Sequence, residues 1–436
     1  MSIELITVLL FVTLMLFLVS GLPVAFGLGA LAFIFGMTII GPKAMYVSIG
    51  AAFNLSTNFV LICAPMFIYM AYILGGSRVG EDLYAAMRSL VGRIKGGLAA
   101  GTIGISTIMA AMVGISGPTL FIMGHLAYPE MVTKYGYDKK LAGGSIAAGA
   151  GLGILIPPSI TMVLYGAIGR ESVAQLFAAG IIPGLILAGL YAAYILIRCN
   201  AQPHLGPAIP ERSTWRERTV SLKGLILPFI LIFAVLGSIF SGAATPTEAS
   251  AIGVIGAFIC AAINRRLSWK MFKEASINTV RLTGVAFWLI FGGASVGAIY
   301  IGTGASHFVE GLLAAGQLAP MAVIGIMMII IMFLGCFMDP TSILMITIPI
   351  FVPIVRLLGF DTVWFGILYI LNIEMALVTP PFGFSLFFMK AVYDPPMKIT
   401  EIYLSIIPFV LCEVVALLLI MFVPQLALIL PTLMLR

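Results

Sequence analysis

Apolar and polar positions fall into long blocks, with apolar runs that recur from one end of the chain to the other between short polar breaks. A run of about 20 residues crosses a hydrocarbon core as one helix. The pattern predicts crossing helices over 3–18, 20–40, 54–75, 141–168, 175–197, 222–241, 247–263, 282–301, 362–389 and 402–430. Two further apolar segments, 98–126 and 320–355, are interrupted at GISGP and MDPTS. These interruptions predict re-entrant hairpins that enter the membrane and return on the same side.

Composition agrees with this pattern, because 61% of the residues are hydrophobic and 9% are charged. Soluble domains have about 25% charged residues. The fold class is therefore an all-α polytopic membrane protein without a separate soluble domain, embedded in phospholipid. The N-terminal apolar run has no basic residue before it, so we interpret it as the first span and not as a cleaved signal. The five scattered cysteines lack CxxC spacing and are interpreted as packing residues.

The net charge of +6 is interpreted as topology and not as a nucleic-acid-binding surface. With both hairpins treated as re-entrant, 19 of the 23 Lys and Arg residues fall on one side. The positive-inside rule then puts both termini outside the cytoplasm. The connections on the basic side are 76–97, 127–140, 198–221, 264–281 and 390–401.

The two halves of the chain resemble each other at an offset of about 222 residues. GISGPTL at 114–120 corresponds to CFMDPTSIL at 336–344, and LIPPSITM at 155–162 corresponds to LVTPPFGFS at 377–385. The predicted topology runs the two copies in opposite directions. Inverted repeats with paired interrupted helices are typical of secondary transporters, whose site lies near the bilayer midplane.

Chemistry is expected at these breaks, where unwound carbonyls can coordinate a cation and half-helix N-termini can face an anion. Oxygen-rich groups without soft ligands suit a hard cation such as sodium. We predict a first sodium site at Ser116, Gly117, Gly151, Gly153 and Pro157, and a second at Asp339, Thr341, Thr379 and Gly383. The predicted substrate contacts are Ser116, Ser159, Thr161, Met162 and Asp339. Ser116 and Ser159 could equally be helix caps, and Asp339 before Pro340 could be an N-cap.

Three other acids fall at predicted membrane depth, where charge is costly. Glu248 is interpreted as a first-turn acid of its helix. Glu374, near Asn372 and five residues before Thr379, is either a supporting group for the site or a structural buried acid. Glu413 is the third. The histidines His125, His204 and His307 are expected at the surface.

The motifs GISGPTL, GILIPPSITMVLYGAI, AAGIIPGLIL, TPTEASAI, FMDPTSILMITIPIFVPI and NIEMALVTPPFG occur in this order along the chain. Together they resemble the large membrane subunit of tripartite ATP-independent periplasmic (TRAP) transporters, of the DctM or SiaM type. The resemblance implies an elevator mechanism, in which a transport domain of two hairpins and two broken helices slides against a scaffold. It also implies sodium coupling, substrate delivery by a periplasmic binding protein, and a small four-helix membrane subunit, here expected as a separate chain. The location implied is the bacterial inner membrane.

The resemblance also assigns residues. The family's hairpin-tip serine maps onto Ser116, its serine after the double proline onto Ser159, and its MDP aspartate onto Asp339. The threonine and glycine of its TPPxG motif map onto Thr379 and Gly383.

This chain departs from the family pattern at two places. Pro118 follows Gly117, where the family often has a second small polar residue. Some relatives that carry sugar acids have an arginine shortly after the double proline, whereas here residues 160–162 are Ile, Thr and Met. A small organic anion, carboxylate or sulfonate, is therefore favoured over a sialic-acid-like substrate.

The expected organisation has five parts. They are scaffold helices and an arm at 1–97, a transport segment at 98–197, a cytoplasmic connector at 198–221, a second scaffold and arm at 222–301, and a second transport segment at 302–436.

Parts of the sequence are compatible with two other functions. GISG at 114–117 matches the GxSG of intramembrane serine proteases, which need a histidine base on a neighbouring span. Re-entrant hairpins also build channel filters, although an inverted repeat favours a transporter. The chain has no GxxxxGK[ST] motif for ATP.

Overall fold

The computed structural model describes residues 3–20, 22–91, 93–209, 215–304, 311, 319–380 and 383–434, and these are almost entirely helical. The first half contains α1 (Ile3–Val19), α2 (Val24–Phe35), α3 (Lys43–Ser56), α4 (Cys63–Gly76), α5 (Val79–Val91), α6 (Gly97–Val113), α7 (Ser116–Pro129), α8 (Lys139–Leu155), α9 (Ile160–Gly169) and α10 (Val173–Ala201). The second half contains α11 (Trp215–Phe240), α12 (Pro246–Ile263), α13 (Trp269–Gly302), α14 (Pro320–Gly335), α15 (Pro340–Leu357), α16 (Thr362–Val378), α17 (Phe384–Val392), α18 (Ile399–Phe422) and α19 (Gln425–Met434). Short π-helical turns at Gly36–Ile40 and Glu130–Lys134 and 3-10 turns at Phe59–Ile62 and Pro203–Leu205 complete the described helices.

Both predicted hairpins and both broken helices are present. The first hairpin is α6 and α7, joined at Gly114, whose φ of 68° lies in the left-handed region that glycine adopts easily. The second hairpin is α14 and α15. The first broken helix is α8 and α9, separated by residues 156–159 (the first break). The second is α16 and α17, separated by residues 379–383 (the second break), of which 381 and 382 lie outside the described residues.

The two halves pack on each other in a crossed arrangement. The returning helix of each hairpin contacts the second part of the opposite broken helix, α7 with α17 and α15 with α9, and the first parts α8 and α16 contact each other. A Cβ on Gly124 of α7 would lie 2.4 Å from Val392 Cγ1 of α17, so the backbone of α7 packs directly against this side chain. The broken helix at 139–169 lies at the centre, since 94% of its most apolar window is buried, compared with 28–67% in the other candidate spans.

Several predicted connections are helical instead. The apolar pattern predicts a loop at 264–281, but Ser268 caps α13, which runs unbroken for 34 residues. Segment 76–97 contains α5, and α3 occupies the interval between the second and third predicted spans. A search for long apolar runs misses such helices because charged or polar residues interrupt the runs without interrupting the helix.

The last predicted span is also wrong in detail. The range 402–430 is two helices, because α18 ends at Phe422 and α19 begins at Gln425, on either side of Pro424. Proline lacks the N–H that an unbroken helix would use there. Eight helices of the described chain are long and apolar enough to cross a membrane. The boundaries of the moving units stay a prediction.

Candidate functional site

The tip of the first hairpin is in backbone contact with the first break. The amide of Ile160 donates to the carbonyl of Gly114 at 3.4 Å. A Cβ on Gly114 would lie 2.3 Å from the carbonyl oxygen of Pro158, and one on Gly153 would lie 3.1 Å from the carbonyl oxygen of Ile115. Glycine is therefore required at position 114, and a side chain at position 153 would crowd the hairpin tip.

Two serines lie at this junction in different roles. Ser159 is fully buried and is the N-cap of α9: its hydroxyl donates to the carbonyl of Ile154 and accepts from the amide of Met162. Ser116 is partly buried and begins α7, whose N-cap residue, Ile115, provides no side-chain hydrogen bond. The N-terminus of α7 therefore presents amide groups that no capping side chain satisfies.

The second hairpin also lies against the second broken helix, but the contacts involve side chains of α16 and of the hairpin. A Cβ on Gly335 would lie 2.2 Å from Ala376 Cβ, and Cys336 Sγ lies 3.9 Å from the carbonyl oxygen of Pro380. Asp339 caps α15 by accepting from the amides of Thr341 at 2.9 Å and Ser342 at 3.3 Å.

The second break has its own local bonding. The hydroxyl of Thr379 donates to the carbonyl of Met375 at 2.7 Å. Gly383 has a φ of 34°, and a Cβ there would lie 3.0 Å from the carbonyl oxygen of Thr379. The contact that joins hairpin tip and break in this half is thus made by Gly335 and Cys336, immediately before Asp339.

The remaining predicted residues are distributed as follows. Gly153 and Pro157 lie at the first junction with Ser116, and Thr161 is buried in the first turn of α9. Met162 packs against α10, where its methyl group would lie 2.4 Å from a Cβ on Gly180. A Cβ on Gly117 would meet open space. Gly151 faces Glu374 of α16, since its Cβ would lie 2.9 Å from Oε1 of that side chain.

The sequence points to the buried acids but not to their surroundings. Glu374 and Glu413 are both fully buried, and Oε1 of Glu413 accepts from the hydroxyl of Tyr191 at 2.5 Å. Tyr191 and Glu413 are 222 residues apart along the chain. Neither the apolar pattern nor the repeated motifs indicate this contact. Glu248 is the predicted first-turn acid, in a capping box with Thr245.

The histidine that a protease would need is not seen beside Ser116 among the described residues. His125 lies nine positions further along α7, where its Nδ1 is 2.9 Å from the carbonyl oxygen of Phe121. His204 lies in the turn Pro203–Leu205, and His307 lies outside the described residues.

A cavity of about 460 Å³ lies between the predicted scaffold and the predicted transport segments. Its walls come from α3, α9, α13 and α15, and its polar lining residues are Asn54, Asn58 and Arg170.

Comparison with solved structures finds another chain with the same fold. The chain superposes on the structure described as the Alcanivorax borkumensis YdaH transporter with an unusual topology, with a TM-score of 0.65 over 96% of this chain and 98% of that one. The two sequences are 14% identical, so the likeness concerns the fold.

Comparison by sequence gives the family. A family model described as "Tripartite ATP-independent periplasmic transporter, DctM component" matches residues 11–426. The chain is 30% identical to the C4-dicarboxylate TRAP transporter large permease protein DctM of Pseudomonas aeruginosa, covering 87% of this chain and 88% of that protein. It is also 30% identical to the ectoine/5-hydroxyectoine large permease protein UehC of Ruegeria pomeroyi, over 96% and 97% of the two chains. The same identity, over 96% of each chain, relates it to the sialic acid large permease protein SiaM of Vibrio cholerae.

These relatives are named as permeases, which are transport proteins and not enzymes. Together with the apolar helices, hairpins and broken helices, the match across residues 11–426 establishes that this multi-pass membrane protein belongs to the DctM family, the large membrane component of TRAP transporters.

Proposed function

We propose that this protein takes up a small organic acid anion, driven by a sodium gradient, by an elevator movement. The observation that carries the proposal is the repeated junction: in each half, a hairpin tip lies against a proline-containing break in the neighbouring helix. Such paired interruptions provide the backbone carbonyls and helix ends that secondary transporters use for ions and substrates.

The first junction is the proposed anion site. The N-terminus of α7 carries partial positive charge and has no side-chain cap, and Ser116 adds a hydroxyl there. The N-termini of α9 and α15 are already capped by Ser159 and Asp339. The N-terminus of α17 also has no side-chain cap, but its first residue is apolar, Phe384. We therefore propose that the N-terminus of α7 receives the substrate's carboxylate or sulfonate.

Sodium is proposed to bind at both junctions. The first site would use Ser116, Gly117, Gly153 and Pro157. Gly151, the fifth residue predicted for this site, faces Glu374 of α16 and is therefore less suited to bind this sodium ion. The second would use Asp339, Thr341, Thr379 and Gly383, whose oxygens suit a hard cation. The cations would also lower the cost of bringing an anion to membrane depth.

The substrate class rests on the relatives and on the site. The relatives are named for a C4-dicarboxylate, for ectoine and for sialic acid, all at the same identity, so similarity does not choose among them. Residues 160–162 lack the arginine expected for a sugar acid, which favours a small anion.

The proposed partners are a periplasmic binding protein that delivers the substrate and a separate small four-helix membrane subunit. We further propose that the complex lies in the bacterial inner membrane with both termini of this chain in the periplasm. The family description as one component of a tripartite transporter supports the partners, and the excess of Lys and Arg on one set of connections supports the orientation.

Reconstitution tests the proposal. The chain and its membrane subunit are placed in liposomes, the binding protein is added outside with radiolabelled organic acids, and an inward sodium gradient is compared with an equal choline gradient. We expect accumulation only with sodium and only with the binding protein. Equal uptake in choline would refute sodium coupling, and currents far above carrier turnover would instead indicate a channel.

A further inference from the structure

Glu374 of α16 and Glu413 of α18 form a buried pair of carboxyl groups that the proposed mechanism does not use. Both side chains have 0% exposure. Neither oxygen of Glu374 has a hydrogen-bond partner, and Oε2 of Glu413 has none. No salt bridge to either acid occurs in the described part of the chain. We call these two residues the acid pair.

The acid pair is enclosed by four helices that pack on one another, α8, α10, α16 and α18. Tyr191 of α10 donates its hydroxyl to Oε1 of Glu413 at 2.5 Å, which fixes that carboxylate and disperses part of its charge. On the α8 side, a Cβ at Gly151 would lie 2.9 Å from Oε1 of Glu374. The missing side chain of this glycine therefore lets the unpartnered carboxyl group approach α8 closely.

The helices that carry the acid pair place it at membrane depth. Glu413 lies in the middle third of α18, which is long and apolar enough to cross a membrane. Tyr191 lies in α10, a second such helix, and beside it the carbonyl oxygen of Leu190 lies 4.0 Å from Cys412 Sγ of α18. A carboxyl group buried in the middle of a spanning helix is costly to ionise and is a functional hypothesis by default.

Two carboxylates at this depth need compensation. Removing an ionised carboxylate from water costs several kcal/mol if no opposite charge accompanies it. Three carboxylate oxygens of the acid pair are free to coordinate. Oxygen ligands of this kind suit hard cations. Neighbouring buried carboxyl groups do not readily ionise together, so the acid pair with one proton carries a single negative charge. A monovalent cation balances that charge, whereas a divalent cation would leave an excess of positive charge.

We propose that Glu374 and Glu413 bind a sodium ion, in a site separate from the two hairpin junctions. Glu374 would be the main ligand, and Tyr191 would hold Glu413 in position. Glu374 precedes Thr379 by five residues and Gly151 precedes Pro157 by six, which is about 7–9 Å along each helix. A cation here would join α16 to α18 beside α8, close to both breaks. This inference goes beyond the proposed function, which assigns cations only to the junctions.

Counting bound ions tests the proposal independently of transport. The purified full-length chain, with its small membrane subunit, is placed in nanodiscs, and equilibrium binding of ²²Na⁺ is measured at constant ionic strength with choline. We expect Glu374→Gln to bind one sodium ion fewer per chain than the unmodified protein. Asp339→Asn should lose a different ion, and the double variant should lose both. Glu248→Gln removes an exposed carboxylate of α12, keeps a residue that suits a capping box, and should bind as the unmodified protein does.

Two milder variants keep the test decisive if Glu374→Gln does not fold. Tyr191→Phe removes a hydrogen bond to a charged group, and Gly151→Ala places a methyl group against Glu374. Each should raise the sodium concentration for half-saturation of one site. The increase should be about tenfold for Tyr191→Phe, as expected for the loss of a hydrogen bond to a charged group, and for Gly151→Ala it follows because the new methyl group displaces the Glu374 carboxyl group.

Three results would overturn the proposal. One is an unchanged ion count in Glu374→Gln while Asp339→Asn loses an ion, which would leave the proposed function intact. Another is unchanged half-saturation in both milder variants. The third concerns the unfolding temperatures of Glu374→Gln and Glu413→Gln. If each variant unfolds at a higher temperature than the unmodified protein, by the same amount in sodium as in choline, the acid pair is a structural contact of protonated carboxyl groups. Absence of sodium binding in the unmodified protein would instead refute the sodium coupling under the proposed function.

Discussion

At the scale of single residues, helix capping and ion binding compete for the same oxygens at the two junctions. Asp339 holds the first amides of α15, and Ser159 holds an amide and a carbonyl around the first break. Capping does not exclude a role in the site, because a carboxylate has several lone-pair positions. A substitution that preserves the cap and alters the charge can separate the two roles.

Asp339→Asn is such a substitution. Asparagine caps helices about as well as aspartate, so the free energy of unfolding should change by less than about 0.5 kcal/mol. Loss of the negative charge should nevertheless raise the sodium concentration needed for half-maximal uptake. The matched control is Asp361→Asn, because Asp361 caps α16 through the amides of Val363 and Trp364, at the end of α16 away from the second break. If both variants shift the sodium dependence equally, Asp339 is not a sodium ligand.

The contact between Gly114 and Pro158 gives a second prediction. Alanine in left-handed backbone costs roughly 1–2 kcal/mol at any position. At Gly114 the new methyl group would also lie 2.3 Å from the carbonyl oxygen of Pro158. Gly114→Ala should therefore stop uptake and lower the unfolding temperature in detergent.

The control for this prediction is Gly136→Ala. Gly136 has nearly the same φ, 69°, but a Cβ added there would have no atom of another residue within 4 Å. Gly136→Ala should lose only the stability that alanine costs in left-handed backbone, and it should retain uptake. Equal losses in the two variants would mean that the contact at the first break is unimportant.

At the scale of elements, the sequence predicted the interruptions better than the connections. The breaks were predictable because proline cannot continue a helix and because the same motif recurs 222 residues later, at Pro158 and Pro380. The start of the long helix α13 was not predictable in this way, because its charged first part interrupts the apolar run and was therefore predicted to be a loop. The place of Gly151 was also missed: sequence distance put it with the first break, but its face of α8 points to α16.

The contact between α7 and the end of α17 can be tested with two stacked tyrosines. The rings of Tyr128 and Tyr393 are 4.2 Å apart, and only Tyr393 bonds through its hydroxyl, to the carbonyl of Gly143 at 2.8 Å. The hydroxyl of Tyr128 is buried without a partner. Tyr393→Phe should therefore cost about 1 kcal/mol of stability, and Tyr128→Phe should be neutral or stabilising.

Thermal unfolding in detergent measures both variants under one condition. Both substitutions keep the aromatic ring, so a difference between them reports the hydrogen bond and not the stacking. A larger loss in Tyr128→Phe than in Tyr393→Phe would contradict the hydrogen-bond assignment.

At the scale of the whole molecule, the question is whether the two hairpins and two broken helices move as a body. In the elevator we propose, α15 slides along α13. Gly297 of α13 and Pro349 of α15 face each other across this interface, beside the cavity of about 460 Å³ that Pro349 also lines. A Cβ on Gly297 would lie 3.6 Å from Pro349 Cβ, which is within the range of about 3.5–4.5 Å for disulfide-bonded cysteines.

The test variant carries Gly297→Cys and Pro349→Cys and lacks the five native cysteines. Oxidation should form a disulfide between the two new cysteines. Uptake should then stop, because the disulfide links α15 to α13. Reduction should restore transport, and both states can be followed in the same liposomes. The matched control is Phe17→Cys with Gly27→Cys, where the corresponding distance is 3.4 Å and both residues belong to the predicted scaffold. That bond should leave uptake unchanged. Full transport through the oxidised Gly297→Cys and Pro349→Cys variant, with the cross-link confirmed by mass spectrometry, would rule out sliding at this interface.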